Sequence, residues 1–179
     1  MTAIPVPTRE QVSPPNQALF DTLQKSIGKV PNLYATFAHS EHALGSYLAF
    51  QDACSSITGK AREVVNLVVS QVNNCEYCLA AHTMLGRMVG FTDAQLLEVR
   101  SGGASFDARL DTLAHLVKSI VEGRGRPDPE RLDAFFAAGW STENLVDTIV
   151  AIGDKTVSNY LHSTTRVPVD FPPAPPLAA

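Results

Sequence analysis

The sequence predicts an all-α fold of about seven or eight helices. Apolar residues recur at helical spacing through most of the chain, and no segment shows the apolar–polar alternation typical of a strand. N-cap residues, glycines and prolines separate the successive apolar segments. We therefore expect one helical domain over residues 15–166, between an extended N-terminal arm (1–14) and a proline-rich C-terminal tail (167–179) that cannot be helical.

The first half of the chain contains four of these apolar segments. They lie at residues 19–27, 33–37, 43–50 and 64–72. Gly28 ends the first, Ser40 is placed to cap the third, and Thr58 precedes the fourth. The fourth segment is rich in β-branched residues that would also suit a strand. A helix is favoured because no turn residue interrupts the apolar run and the neighbouring segments are helical.

The second half continues in the same way, with capping signals at the start of each segment. Thr92 to Gln95 fits a capping box, Asp128 and Pro129 supply a cap and an N1 proline, and Ser141 or Thr142 opens the last long helix. Between these signals lie apolar segments at residues 75–89, 110–120, 132–136 and 145–160. The whole pattern is that of consecutive helices joined by short turns.

Composition and charge exclude several classes of function. The net charge is −4 with no basic cluster, so we expect neither a nucleic acid nor a membrane partner. No apolar run approaches the roughly 18 residues of a membrane span, and the N-terminus lacks the pattern of a secretory signal. A cytoplasmic location is therefore expected. In a reducing compartment, a Cys-x-x-Cys pair is more often catalytic or metal-binding than a structural disulfide.

The most informative motif is Cys75-x-x-Cys78 followed three residues later by His82. If Cys75 opens a helix, spacings of three and four place all three side chains on one face. The first turn of a helix carries unpaired N–H groups and the positive end of the macrodipole, which favour a thiolate. The motif therefore predicts a redox site.

Four interpretations of this motif remain open from the residues alone. A low-pKa cysteine with a resolving partner fits a thiol peroxidase or disulfide oxidoreductase. A zinc site would need a fourth ligand, for which no second Cys/His pair is suitably spaced. A thioredoxin-like protein would need strands around the motif. In the last interpretation, the two cysteines and the histidine are simply buried core residues. For the lone Cys54, a buried core position is the interpretation that we prefer.

With this motif and its surroundings, the chain resembles the AhpD-like alkylhydroperoxidase family of the carboxymuconolactone decarboxylase superfamily. The resemblance extends over most of residues 15–165. The sequence segment from Gly28 to Asn32 is similar to that of the peroxidase-related branch of the family. Glu63 stands twelve residues before Cys75, where the family pattern has a glutamate. From the residues alone, Glu63 would be an exposed or Arg-paired carboxylate, or a half-buried base with a raised pKa beside a histidine.

The resemblance implies a role for each of these residues. Cys78 corresponds to the cysteine that attacks peroxide, Cys75 to its disulfide partner, and His82 and Glu63 to a proton relay. Tyr77 replaces a histidine found in some members; as a phenol it would donate a hydrogen bond or pack, but it is a poor base. No cofactor and no metal are implied.

The expected function is thus a thiol-dependent peroxidase that reduces hydrogen peroxide or organic hydroperoxides and is reset by a dithiol or protein-thiol reductant. The resemblance also implies a homo-oligomer, a trimer or hexamer. The alternatives are a cofactor-free lyase like carboxymuconolactone decarboxylase, and a non-enzymatic redox or metal-binding module.

Overall fold

The computed structural model describes residues 4–52 and 56–177, and within them all regular secondary structure is helical. A 3₁₀ turn at Arg9–Gln11 precedes the α-helices. Nine α-helices follow: α1 (Pro14–Ile27), α2 (Asn32–Phe37), α3 (Ala43–Asp52), α4 (Gly59–Val72), α5 (Glu76–Met88), α6 (Asp93–Ser101), α7 (Ala108–Glu122), α8 (Pro129–Ala137) and α9 (Thr142–Thr165). The all-α prediction is confirmed, with one or two helices more than expected. Cys54 lies outside the described residues.

Most of the predicted helix starts are found where the capping residues stand. Thr92 and Ser141 form capping boxes at α6 and α9, and Asp128 caps α8 with Pro129 in its first turn. The prediction for Ser40 is wrong, because α3 begins only at Ala43 after a turn. A serine can cap only a helix that starts next to it, and here a turn intervenes.

Helix α4 is the centre of the fold. Every residue from Glu63 to Ser70 is buried, because α5, α6, α7 and α9 all pack around this helix. A helix that packs against neighbours on every side has a nearly continuous apolar sequence, which explains why the composition of α4 resembles that of a strand. Polar side chains of α4 are therefore held in the interior, close to those of α5 and α9.

The buried side chains form two clusters. The larger one joins α4 to α6, α7 and α8 and includes Phe135 and Trp140, whose rings stack with centroids 5.5 Å apart. The smaller one joins α1, α2 and α3 to the start of α5 and contains both Cys75 and Cys78. The cysteine motif therefore lies inside a packed cluster rather than on a surface loop.

Helix α9 has an unusual distribution of polar and apolar residues. Several of the apolar residues that mark this helix in the sequence are exposed, namely Val146, Ile149, Val157 and Tyr160. The opposite face buries the polar residues Asp154, Lys155, Ser158, Asn159 and His162. Burial of polar groups is costly unless they have partners, so this face indicates a site rather than ordinary core.

The segment after α9 packs against its own chain. Val167 is buried in the smaller cluster, and the residues that follow run without helix across α2 and α5. Among the described residues, none of the helices is both long and apolar enough to cross a membrane.

Candidate active site

A tight turn between α4 and α5 places the first cysteine. The backbone N–H of Cys75 donates to the carbonyl of Ser70 (2.9 Å), and Asn74 adopts a left-handed conformation with φ of 53°. Asparagine tolerates this conformation better than most residues. Cys75 is thereby fixed as the N-cap of α5, and its sulfur accepts a hydrogen bond from the backbone N–H of Cys78 (3.3 Å). This is the helix start that the spacing predicts.

The two thiols lie against each other. Both are free, and the Sγ atom of Cys75 donates to that of Cys78 across 2.7 Å. A disulfide has an S–S distance of about 2.05 Å, so the two sulfurs need only a small movement to join. Cys75 has no exposed surface, whereas Cys78 is 3% exposed and lines a cavity. The two cysteines are therefore inequivalent in access.

They are inequivalent in acidity as well. The hydrogen bond from Cys75 lowers the pKa of Cys78 to about 7, against the opposing effect of burial and with help from the positive charge of Lys155. The same hydrogen bond, together with burial, raises the pKa of Cys75 far above its ordinary value, because that thiol must give up the proton it donates. At pH 7 about half of Cys78 is therefore thiolate, while Cys75 stays a thiol.

His82 lies one turn further along α5 and contacts a carboxylate of α4. Its Nδ1 is 2.8 Å from Oε2 of Glu63, and Asn66 donates to Oε1 of the same carboxylate (3.0 Å). All three side chains are buried. The structure thus brings together all four predicted site residues on two adjacent helices, Glu63 and His82 as a pair and Cys75 and Cys78 as a pair.

The protonation of the Glu63–His82 pair follows from its surroundings. Burial raises the pKa of Glu63, but the neighbouring His82 and the hydrogen bonds from His82 and Asn66 outweigh it, so the pKa is lowered overall. Burial and the charge of Lys155 lower the pKa of His82. Both shifts favour a carboxylate that accepts Nδ1–H from a neutral imidazole. The expectation of a raised Glu63 pKa is therefore wrong, while the imidazole Nε2 remains available as a proton acceptor.

Helix α9 supplies polar groups that the sequence analysis did not identify. Lys155, Ser158 and Asn159 are spaced i, i+3 and i+4 on its buried face, and each contributes to lowering the pKa of Cys78. Asn159 also donates to Ser70 Oγ (3.3 Å) and accepts from Asn73 (3.0 Å), which ties α9 to the turn before Cys75. The polar face of α9 is thus part of the cysteine environment.

Lys155 differs from the other buried charges near the site. Arg62 pairs with Asp154, and Glu63 pairs with His82. Lys155 is only 4% exposed, and its ammonium has neither an ion-pair nor a hydrogen-bond partner among the residues that the structure describes. A buried cation is stabilised by a nearby anion, and the thiolate of Cys78 in the same cavity provides one.

The cavity above Cys78 has a volume of about 210 Å³. Its walls are mainly apolar and aromatic and come from α1, α2, α3, α5 and the C-terminal tail; the aromatic members are Tyr34, Tyr47, Tyr77 and Phe171. Cys78, His82 and Lys155 are its reactive or charged lining residues. An apolar pocket with a few convergent polar groups is the usual form of a small-molecule site.

Tyr77, the predicted auxiliary residue, has a structural position beside this cavity. Its hydroxyl donates to Asp170 Oδ1 (2.6 Å) and accepts from the backbone N–H of Leu33 (3.1 Å). Burial and the hydrogen bond to Asp170 raise the pKa of Tyr77, which keeps the phenol protonated. Tyr77 therefore connects the cysteine helix to the tail rather than serving as a base.

Part of the chain matches a known protein family. Residues 41–118, which include α4, α5 and all four predicted site residues, match the model of the carboxymuconolactone decarboxylase family. The match covers less than half of the 179-residue chain. No curated protein sequence gives a significant match. Within the described part of the chain, no group of three or more His, Cys, Asp and Glu side chains is arranged to hold a metal ion.

Solved structures share the AhpD-like fold of this chain. An uncharacterized peroxidase-related protein with an AhpD core from Ralstonia eutropha JMP134 has a TM-score of 0.84 at 20% identity, over 94% of this chain and 92% of that chain. An uncharacterized peroxidase-related protein from Silicibacter sp. TM1040 has a TM-score of 0.80 at 20% identity, over 93% and 91%. A cysteine-to-alanine variant of the debrominase Bmp8, bound to 2,3,4-tribromopyrrole, has a TM-score of 0.78 at 12% identity, over 95% and 92%. These likenesses concern the fold.

Proposed function

We propose that the protein is a thiol-dependent peroxidase that reduces hydrogen peroxide or organic hydroperoxides through Cys78 and Cys75. The observation that carries the proposal is the contact of two free thiols, 2.7 Å apart, whose pKa values are shifted in opposite directions. The thiolate of the pair lines an apolar cavity. The match of residues 41–118 to the carboxymuconolactone decarboxylase family model and the AhpD-like fold support an enzyme of this general kind.

In the first step, the thiolate of Cys78 attacks the terminal oxygen of the hydroperoxide. The O–O bond breaks, Cys78 becomes a sulfenic acid, and the alkoxide takes a proton from solvent and leaves as the alcohol. A pKa of about 7 keeps a large share of Cys78 in the reactive form at neutral pH. The apolar walls leave the thiolate with few competing hydrogen bonds from water.

In the second step, the sulfur of Cys75 attacks that of Cys78 and a disulfide forms. The hydroxyl of the sulfenic acid leaves as water after it takes up a proton, and Cys75 loses its own proton. Burial still raises the pKa of Cys75 after Cys78 is oxidised, so this thiol needs a base. His82 is the proposed base, acting through Nε2, the ring nitrogen that does not face Glu63, while Glu63 stabilises the imidazolium that forms.

A two-electron reductant then returns the disulfide to two thiols. We propose a dithiol or a protein thiol for this role, because thiol–disulfide exchange needs no cofactor. The homo-oligomer, a trimer or hexamer, remains a prediction, and multi-angle light scattering of the purified protein measures it.

The test is turnover of peroxide with dithiothreitol as the reductant, combined with mass spectrometry of the thiols. One equivalent of peroxide should convert Cys75 and Cys78 to a disulfide and leave Cys54 reduced. The Cys78→Ser variant should lose activity by about 100-fold or more, because the attacking sulfur is gone. The Cys75→Ser variant should accumulate sulfenic acid. Full activity of Cys78→Ser would remove the proposal.

Reductive debromination of an aromatic ring is a second candidate. The aromatic walls of the cavity suit a flat ring, and the structure of the debrominase Bmp8 with 2,3,4-tribromopyrrole has the same fold. The electrons balance in the same way: two thiols and an aryl bromide give a disulfide, the debrominated ring, bromide and a proton. Replacing peroxide with 2,3,4-tribromopyrrole in the same assay distinguishes the two, by bromide release.

The lyase alternative makes a different prediction. Decarboxylation of a lactone requires no thiol oxidation, so its rate should survive replacement of both Cys75 and Cys78 by serine. Measurement of carboxymuconolactone turnover in that double variant separates the lyase from the thiol enzyme.

A further inference from the structure

The segment after α9 forms one wall of the cavity above Cys78. We call residues 167–177 the C-terminal strap. Val167 is 1% exposed and belongs to the same buried cluster as the two cysteines. Near the other end of the strap, Arg100 donates a hydrogen bond to the carbonyl of Pro175. The strap is therefore attached to the helical body at both ends.

Asp170 anchors the middle of the strap. Its carboxylate accepts from the hydroxyl of Tyr77 (2.6 Å) and from the backbone N–H of Asn32 (3.3 Å), and it pairs with Lys29 (3.0 Å). The side chain of Asn32 also donates to the carbonyl of Pro168 (3.0 Å). One carboxylate thus joins the strap to three places on the body, and one of them is the residue next to Cys78.

Phe171 follows the anchor and faces the cavity. The ammonium of Lys29 lies 3.8 Å from the centroid of the Phe171 ring, a cation–π contact. The ring of Tyr77 meets it edge to face, with centroids 5.5 Å apart and an interplanar angle of 89°. Both contacts fix the orientation of the ring, which lines the cavity together with Cys78.

We infer that Phe171, held in place by Asp170, limits the size of the molecule that reaches Cys78. The cavity measures about 210 Å³, below the range of about 300–1,000 Å³ for most ligand sites. Other cavity walls, such as Tyr47 and Leu33, are buried core residues, whereas Phe171 comes from a strap with no helical hydrogen bonds. Of these three walls, Phe171 lies outside the helices, so its truncation widens the cavity with the least disturbance of the helical core.

This inference rests on the proposed function for its substrate class. A peroxidase with this wall takes compact apolar hydroperoxides, such as tert-butyl hydroperoxide, in preference to the hydroperoxide of a long-chain fatty acid. The apolar lining favours an organic group over water, and the phenyl ring of Phe171 restricts its length. Specificity is then set by a residue outside the Cys/His/Glu motif.

The first experiment compares kcat/KM for these two hydroperoxides in Phe171→Ala and the natural protein. The ratio of long-chain to compact activity should rise by about tenfold or more, since the removed ring opens the cavity wall. Phe171→Leu, which keeps most of the volume, should give a smaller change in the same direction and guards against misfolding of the alanine variant. Phe136→Ala, at an exposed aromatic residue of α8, is the matched control and should leave the ratio unchanged. An unchanged ratio in Phe171→Ala would overturn the inference.

The second experiment does not require peroxidase activity. Cys78 is alkylated with iodoacetamide or with the bulky N-(1-pyrenyl)maleimide, and the modified peptide is quantified by mass spectrometry. Phe171→Ala should accelerate the bulky reagent relative to the compact one by about tenfold or more. If this ratio rises while no peroxide is consumed by the natural protein, the proposed function fails and the size limit stands. If the ratio stays constant, the size limit fails whatever the activity.

Discussion

Replacement of Cys75 by alanine removes the group that contributes most to the low pKa of Cys78. In the natural protein this pKa is about 7, so about half of Cys78 is thiolate at pH 7. Without the donated hydrogen bond the pKa should rise toward the value of about 8.5 for a free cysteine. A shift of about 1.5 units corresponds to about 2 kcal/mol and leaves about 3% thiolate at pH 7.

The rate of alkylation at a single pH underestimates this change. A thiolate of higher pKa is intrinsically more nucleophilic, with a Brønsted coefficient of about 0.4–0.5, which gains about fivefold over 1.5 units. The roughly 16-fold loss of thiolate at pH 7 therefore appears as only about a threefold slower reaction. The midpoint of the pH profile reports the full shift in the pKa of Cys78, so the midpoint is the quantity to measure.

The assay is iodoacetamide alkylation of the Cys78 peptide between pH 5 and 10, followed by mass spectrometry. Cys75→Ser is the matched control, because its hydroxyl retains a donor at the same position and should keep the midpoint near that of the natural protein. Lys155, Ser158 and Asn159 remain in both variants, so any difference between them reports the hydrogen bond. A midpoint that stays at about 7 in Cys75→Ala would refute the account of the thiol pair.

Three further predictions concern the groups around the thiols. Glu63→Gln should slow disulfide formation by about 100-fold, because a neutral amide does not stabilise the imidazolium of His82. In stopped-flow measurements, the rate of sulfenic acid formation should be less affected. An equal decrease of both rates would contradict the proton relay. Lys155→Met should raise the pKa of Cys78 by about 1 unit, and Lys155→Arg should keep this pKa at the value of the natural protein, both measured as the alkylation midpoint. Equal midpoints in the two variants would contradict a role for the positive charge. Folding lowers the pKa values of both Glu63 and His82, so the unfolded state binds more protons than the folded state. The free energy of unfolding should therefore decrease below pH 6.5, where His82 of the unfolded chain becomes protonated. It should decrease further below pH 4.5, where Glu63 of the unfolded chain does. His82→Gln should flatten the first part of the thermal-melting profile, and a profile identical to that of the natural protein would contradict the assigned protonation.

The parts of the site that the sequence predicts are local in the chain. Cys75, Cys78 and His82 are separated by three and four residues, and helical geometry alone places them together. Glu63 is nineteen residues from His82, and it was found through the family resemblance rather than by periodicity. Its protonation could not be predicted, since it depends on Asn66 and on burial within α4.

The remaining parts come from distant segments. The polar face of α9 left a signal in the sequence, because Asp154, Lys155, Ser158 and Asn159 recur at helical spacing among apolar residues. The signal was missed because the apolar residues of α9 were used to mark the helix, and several of these are exposed. The contact between Tyr77 and Asp170 joins residues 93 positions apart and had no local signal.

In the proposed thiol cycle, the burial of Cys75 would determine how a reductant approaches the disulfide. Since Cys75 has no exposed surface, an incoming thiol would meet Cys78 at the cavity and form the mixed disulfide there. Under the proposed cycle, oxidant and reductant would use one entrance in turn, and the expected rate law is ping-pong rather than that of a ternary complex. A folded protein reductant would need to insert a projecting cysteine past Phe171, whereas a small dithiol can simply diffuse in.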